Sequence, residues 1–77
     1  TVEIFPNPFQ ESVSIQFYIE KTASLPYKIT TLLGKFLKSG YLEGSIGLNT
    51  CTLTFDDLAQ GVYLMHINGK LFKLIKQ

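Results

Sequence analysis

Apolar and polar residues alternate along much of this 77-residue chain, and the alternation predicts β-strands. From Ser12 to Ile19 every second residue is apolar, which suits a strand with one face on a core and the other toward water. Residues 50–55 repeat the pattern, with three threonines between apolar neighbours. Alanine, the best helix former, occurs only twice, whereas Thr, Ile, Val, Phe and Tyr are plentiful. The pattern therefore predicts an all-β fold.

Turn-forming residues divide the rest of the chain into further short strands. Pro6 and Pro8 must end the first strand, because neither proline can donate a hydrogen bond to a ladder. Gly34-Lys35 predicts a tight hairpin loop, and residues 56–61 predict a single turn closed by a glycine. The strands predicted between these turns are Val2–Phe5, 27–33, 36–42, 62–67 and 70–77.

Asn68-Gly69 is the strongest local signal, because a type I′ turn needs two residues that tolerate positive φ. A two-residue loop here pairs Tyr63 with Leu74 and Met65 with Phe72 on one face, and Val62 with Ile75 and Leu64 with Lys73 on the other. Both faces carry apolar residues, so the outer one either packs under a loop or leaves an apolar stripe for a partner. A helix is the alternative for the last segment, but its short length and the turn before it favour a strand.

The predicted segments add up to about seven short strands, at turn spacings typical of a β-sandwich or a small barrel. The chain is long enough for one domain and no more, so we expect a single domain over residues 1–77. With 45% apolar and 17% charged residues, the sequence is too apolar for a disordered chain.

Charge and hydropathy exclude two classes of function. Seven lysines, no arginine and six acidic residues give a net charge of +1, so the sequence lacks the basic patch of a nucleic-acid-binding protein. No apolar stretch approaches the roughly 20 residues of a membrane-spanning helix. The start of the chain also lacks the basic and apolar regions of a secretory signal. If the domain is exported, we expect its signal to lie upstream in a longer parent chain or to be the domain itself.

Residues with catalytic or metal-binding potential are few. His66, the only histidine, has neither a nucleophile nor an orienting acid at a suggestive spacing. Cys51 cannot form an internal disulfide, and its place in an alternating strand indicates a small core residue. Asp56 and Asp57 suit turn capping better than calcium binding, which takes six to eight oxygen ligands. We therefore expect no catalytic group, no metal and no cofactor.

Four motifs occur in a specific order and spacing over nearly the whole chain. They are Ile4-Phe5-Pro6-Asn7-Pro8-Phe9, Leu33-Gly34-Lys35, Leu58-Ala59-Gln60-Gly61-Val62-Tyr63-Leu64 and the lysine-flanked apolar tail from Lys70 to Lys76. Together they resemble the type A C-terminal sorting domain of the type IX (Por) secretion system of Bacteroidetes. One departure is that the family often carries arginine in the final hairpin, where this chain has His66 and lysines.

The resemblance implies an immunoglobulin-like β-sandwich of about seven antiparallel strands and a non-catalytic role as a secretion signal. Such a domain ends a secreted enzyme or adhesin, crosses the periplasm folded, and is recognised by the outer-membrane translocon and its shuttle protein. A cell-surface sortase of the cysteine-peptidase class then removes the domain and joins the cargo to anionic lipopolysaccharide. The implied location is the outer-membrane cell surface or the extracellular space, with cleavage upstream of Thr1.

We expect the final hairpin to dock on the partner, because strand addition and buried aromatic anchors are common recognition modes. The predicted recognition residues are Pro6, Asn7, Pro8, Gly61, Val62, Tyr63, Lys70, Leu71, Lys73, Ile75 and Lys76. Structural roles are the alternative: a rigid turn for the prolines, a turn glycine and core tyrosine, and lysines that protect an edge strand.

Two rival functions make different demands on the sequence. An accessory sandwich that binds carbohydrate or a surface protein calls for a planar row of aromatic residues, but there is no Trp and the four tyrosines are on different predicted strands. A small enzyme calls for paired catalytic groups and a chain long enough to form a pocket. An open sheet edge would also allow a weak homodimer.

Overall fold

The computed structural model describes residues 2–77, and over this range the chain forms seven strands and no helix. The strands are β1 (Val2–Phe5), β2 (Ser12–Ile19), β3 (Ala23–Thr31), β4 (Phe36–Gly44), β5 (Gly47–Thr54), β6 (Gly61–Ile67) and β7 (Lys70–Lys76). The all-β prediction is confirmed, and the helical alternative for the last segment is wrong. None of the described residues belongs to a helix that could cross a bilayer.

The strands pair antiparallel in two sheets of order β1-β2-β5 and β4-β3-β6-β7. Alternate residues of both sheets point inward and form one core, because successive strand residues face opposite sides. The buried apolar residues are Phe9, Val13, Ile15, Phe17, Ile29, Leu42, Phe55, Tyr63, Met65, Ile67 and Leu74. This arrangement confirms the predicted immunoglobulin-like sandwich, with β4 joined to the larger sheet.

The β6–β7 hairpin has the predicted register, including the pairs Tyr63–Leu74 and Val62–Ile75. Its turn residues Asn68 and Gly69 have φ values of 49° and 84°, as a type I′ turn requires. On the outer face Val62 and Ile75 remain partly exposed. An apolar stripe therefore faces outward along this hairpin.

The boundaries of β3 differ from the predicted 27–33 at both ends. The strand begins at Ala23 and includes Pro26, which pairs with Tyr41 of β4. Because the N and O atoms of a strand residue point to the same side, the Pro26 nitrogen faces Asn68, whose N–H donates to the Pro26 carbonyl at 3.4 Å. The β3–β6 ladder begins only at Tyr27, so Pro26 removes no ladder hydrogen bond.

The β3–β4 loop is also longer than the predicted Gly34-Lys35 pair. The strand ends at Thr31, and residues 32–35 form the loop. Thr31 accepts a hydrogen bond from the Gly34 N–H at 3.0 Å and donates its own N–H to the Lys35 carbonyl at 2.9 Å. Gly34 has a φ of 93°, which only glycine adopts without strain, so the turn closes at this residue. The β5 strand likewise starts earlier than predicted, at Gly47.

The molecule is elongated, with principal extents of 35, 21 and 18 Å, and its two ends carry different segments. Val2 lies near Asn68 and Lys70 at one end, which we call the N-terminal pole. Residues 6–11, the β3–β4 loop, the β5–β6 corner and Gln77 lie at the other end, which we call the clasp pole. Val2 and the Pro-Asn-Pro motif therefore lie at opposite ends of β1.

Candidate recognition surface

Asn7 joins the first motif of the chain to the last strand. Its Nδ2 donates to the Lys73 carbonyl at 2.7 Å, and its Oδ1 accepts from the Ile75 N–H at 2.9 Å. A side-chain amide carries both a donor and an acceptor, so Asn7 satisfies the β7 edge as a neighbouring strand would. The peptide bonds before Pro6 and Pro8, on either side of Asn7, are cis.

Phe9 continues the contact along the same edge. Its N–H donates to the Ile75 carbonyl, and its carbonyl accepts from the Gln77 N–H, both at 2.8 Å. The Phe9 ring is 1% exposed and meets Phe55 edge to face, with ring centroids 6.1 Å apart. The Lys76 ammonium lies 5.5 Å from the Phe9 ring centroid and donates to the Gln10 carbonyl. We call residues 7–9 together with 73–77 the clasp.

The clasp forms hydrogen bonds with only the C-terminal half of the outer edge of β7. Backbone groups of alternate residues point to this edge, so the N–H and C=O of Leu71 and the N–H of Lys73 also face outward. Over residues 2–77, hydrogen bonds to this edge end at the Lys73 carbonyl. The accessible part of the edge is therefore the short stretch around Leu71, which is 60% exposed and flanked by Lys70 and Lys73.

The Gly61-Val62-Tyr63 motif forms the corner between β5 and β6. Tyr63 is 9% exposed, and its hydroxyl donates to the Ala59 carbonyl at 2.5 Å. A tyrosine at the start of the sixth strand that bonds back to the preceding loop is the tyrosine corner of immunoglobulin-like domains. Tyr63 thus packs as a core residue, and its hydroxyl holds the corner.

Nine of the eleven predicted recognition residues fall into two groups in the structure, and the other two, Val62 and Tyr63, follow Gly61 in β6. The clasp contains Asn7, Pro8, Lys73, Ile75 and Lys76, with Pro6 and Gly61 directly beside it, since Gly61 pairs with Lys76. Lys70 and Leu71 lie at the opposite end of β7, beside the Asn68-Gly69 turn. No local pattern indicates that Asn7 bonds to β7, because its partners lie 66 and 68 positions away.

The residues with catalytic potential have structural partners. His66 Nε2 lies 3.0 Å from the Thr30 hydroxyl, and Cys51 Sγ lies 3.6 Å from the Glu43 carbonyl. Both carboxylate oxygens of Asp57 lie 3.0 Å from Lys38 Nζ. This hydrogen bond holds the pKa of the Asp57 carboxyl below its usual value. Within residues 2–77, no three His, Cys, Asp or Glu side chains converge to hold a metal ion.

One comparison with known proteins agrees with the motifs. A family model described as the secretion system C-terminal sorting domain matches residues 3–77, which is nearly the whole chain. Neither curated proteins nor solved structures gave a match. The match extends from the strand before the Pro-Asn-Pro motif through the final strand, so it includes both halves of the clasp. The chain therefore belongs to the family of C-terminal sorting domains of the type IX secretion system.

Proposed function

We propose that this domain is a ligand through which the outer-membrane translocon and its shuttle protein select an exported protein, and that the clasp is the part they contact. Membership of the sorting-domain family supports the general role, export across the outer membrane. The observation that supports the clasp is the pair of hydrogen bonds from Asn7 to β7. These bonds join the first and last motifs into one surface.

The accessible edge of β7 supplies a second part of the proposed contact. Leu71 offers an exposed side chain and an outward N–H and C=O, which suits addition of one short strand from a partner. Lys70 and Lys73 beside it would disfavour pairing with another copy of this strand, since like charges oppose each other. The final hairpin therefore combines a contact point with protection against self-association through this edge.

The position of Val2 is compatible with the rest of the proposed route. A folded cargo upstream of Val2 would extend from the N-terminal pole and leave the clasp uncovered. A cell-surface sortase could then cut the upstream segment while the clasp remains bound, and join the cargo to anionic lipopolysaccharide. In this scheme the domain performs no chemistry, and residues 1–77 act as a unit within a longer secreted protein.

The rival accessory-module function has weaker support. Tyr18 and Tyr41 are exposed, but they lie on the outer faces of different sheets. Tyr27 is partly buried beside Gly40, and Tyr63 belongs to the core. The four tyrosines therefore form no common platform for a sugar ring.

A secretion assay tests the proposal. Residues 1–77, with a native upstream linker, are fused to a periplasm-exported reporter in a Bacteroidetes host, and the reporter outside the cell is quantified. We expect secretion from the intact fusion, none in a host without the translocon, and none when residues 70–77 are deleted. Retention of the intact fusion in the periplasm would reject the sorting function for this chain.

Two point variants distinguish a direct contribution of the clasp to secretion from an effect of lower domain stability. Asn7→Ala removes both side-chain hydrogen bonds to β7, whereas Tyr63→Phe removes one buried hydrogen bond at the β5–β6 corner. Asn7→Ala lowers stability by about 1–2 kcal/mol and Tyr63→Phe by about 1 kcal/mol, but only the first alters the clasp. We expect secretion to fall for Asn7→Ala and to persist for Tyr63→Phe. An equal fall in both would attribute the loss to stability and reject the clasp as the contact.

A further inference from the structure

The β3–β4 loop presents apolar side chains that the fold leaves in solvent. Leu33 is 99% exposed, Leu32 is 57% exposed, and Phe36, the first residue of β4, is also 57% exposed. We call these three residues the loop tip. Isolated exposed apolar residues are common on protein surfaces, but three within five positions on one protruding hairpin form a concentrated apolar feature.

The loop holds its tip in a defined conformation. In addition to the two backbone bonds of Thr31, its hydroxyl accepts from the Lys35 N–H at 3.1 Å. Side chains at the centre of such a turn point away from the sheet, and polar residues occupy these positions readily. Leucine is therefore not required at position 33 by the turn itself. A fixed apolar tip loses little conformational entropy when a partner binds it.

The loop tip shares the clasp pole with the proposed contact surface. Thr31 pairs with Tyr63 near the start of β6, and Gly61 at that start pairs with Lys76 of the clasp. Val2 lies at the opposite pole, so cargo attached upstream of it need not cover the tip. One receptor could therefore contact the clasp and the tip together.

Charge and size favour a protein as the occupant. The clasp pole carries Lys35, Lys38, Lys73 and Lys76, but also Glu11, Asp56 and Asp57, so it has little net attraction for an anionic lipid surface. Three side chains also provide much less than the roughly 800 Å² per partner of a stable dimer. A protein that already contacts the clasp could bind the tip in an apolar pocket. Such binding requires neither a large net charge at this pole nor a large contact area.

We propose that the loop tip, centred on Leu33, inserts into an apolar pocket of the receptor protein that recognises the clasp. The inference rests on the proposed sorting function and adds a contact outside the predicted recognition residues. Leu33 then acts as an anchor, because an exposed leucine that becomes fully buried contributes more than any polar contact at the rim.

The reporter fusion tests the anchor with a matched control. Leu33→Ser removes the apolar tip, and Leu33→Met retains an apolar side chain of similar size. Ile46→Ser is the control, because Ile46 is 71% exposed in the β4–β5 turn at the other pole. We expect secretion to fall about tenfold or more for Leu33→Ser and to remain near the unmodified level for Leu33→Met and Ile46→Ser.

Thermal unfolding of the purified domains checks the cause. Because Leu33 is almost fully exposed, Leu33→Ser should unfold at the same temperature as the unmodified domain. Normal secretion of Leu33→Ser from a fusion that is otherwise secreted would overturn the anchor and leave the sorting function intact. Retention of the unmodified fusion would reject the sorting function itself.

Two further measurements test whether the loop tip instead contacts a second copy of the domain or a lipid surface. Sedimentation of the unmodified domain should give a monomer, and flotation with phosphatidylcholine–phosphatidylglycerol vesicles should leave it unbound. A dimer or a vesicle-bound fraction that disappears in Leu33→Ser would overturn the receptor pocket, in favour of a second copy or a lipid surface respectively.

Discussion

Asn7 and Ile75 are 68 positions apart in the sequence, and the Asn7 side-chain oxygen accepts a hydrogen bond from the Ile75 N–H at 2.9 Å. The same side chain donates to the Lys73 carbonyl, so one amide covers two consecutive outward groups of β7. Edge strands with free backbone groups pair readily with other chains. Asn7 therefore satisfies and protects the second half of the last strand.

Asn7→Ala should lower the free energy of unfolding by about 1–2 kcal/mol, because two hydrogen bonds to a strand edge are lost. Gln10→Ala is the control, since Gln10 is exposed and contributes only its backbone carbonyl to Lys76. Urea denaturation of the purified domains measures both. The prediction is wrong if the two variants are equally stable.

Tyr63→Phe should cost about 1 kcal/mol of stability, because the Ala59 carbonyl loses its partner while the aromatic ring stays in the core. Tyr18→Phe provides the comparison, as the Tyr18 ring is 59% exposed on an outer face. Thermal denaturation should show a lower midpoint for the first variant only. Equal midpoints would mean that the corner hydrogen bond adds no stability.

Gly44→Ala should destabilise the domain by about 1–3 kcal/mol through overpacking. A Cβ at position 44 would lie 2.7 Å from Ile19 Cδ1 and 2.8 Å from Phe17 Cε2, and the Phe17 ring is confined in the core. Gly40→Ala meets the Tyr27 ring at similar distances, but Tyr27 is partly exposed and can move. Denaturant titration should rank Gly44→Ala as clearly the less stable. The opposite ranking would contradict this account of the packing.

The Lys38–Asp57 pair should make a small, pH-dependent contribution to stability. The hydrogen bond from Lys38 holds the folded-state pKa of Asp57 below its unfolded value. The contribution is therefore present above the unfolded pKa and is lost as the pH falls through the lower, folded pKa. Lys38→Met should raise the Asp57 pKa toward its usual value, as measured by NMR titration of the carboxyl carbon. Its stability deficit should vanish in acid, and added salt should reduce it because the pair is at the surface.

The sequence predicted the final hairpin well, because local signals determine it. Asn68-Gly69 specifies a type I′ turn, and a two-residue loop fixes every cross-strand pair after it. The alternating run of β2 was equally informative, since one face must be buried. In both segments, the residues that specify the turn or the strand are part of that turn or strand or lie within a few positions of it.

The sequence-based predictions are wrong where contacts between distant parts of the chain determine the structure. Pro26 is tolerated within β3 because β6 ends at Ile67, opposite Tyr27, which no local pattern reveals. The apolar pattern predicts Leu32 and Leu33 within a strand, but both belong to the exposed loop tip. The motif predicts Asn7 in the recognition surface, but the contacts of Asn7 depend on a strand that is distant in the sequence. Sequence patterns thus identified the motif but not its partners.

The distance along the chain between the two halves of the clasp has a consequence for biosynthesis. Asn7 is made early in the domain, but its acceptor at Lys73 and its donor at Ile75 are among the last residues of the domain to be synthesised. A polypeptide that stops before Lys73 lacks these partners and cannot assemble the clasp. If the translocon recognises this surface, export is restricted to molecules whose translation has passed Ile75, and products that terminate earlier remain in the periplasm.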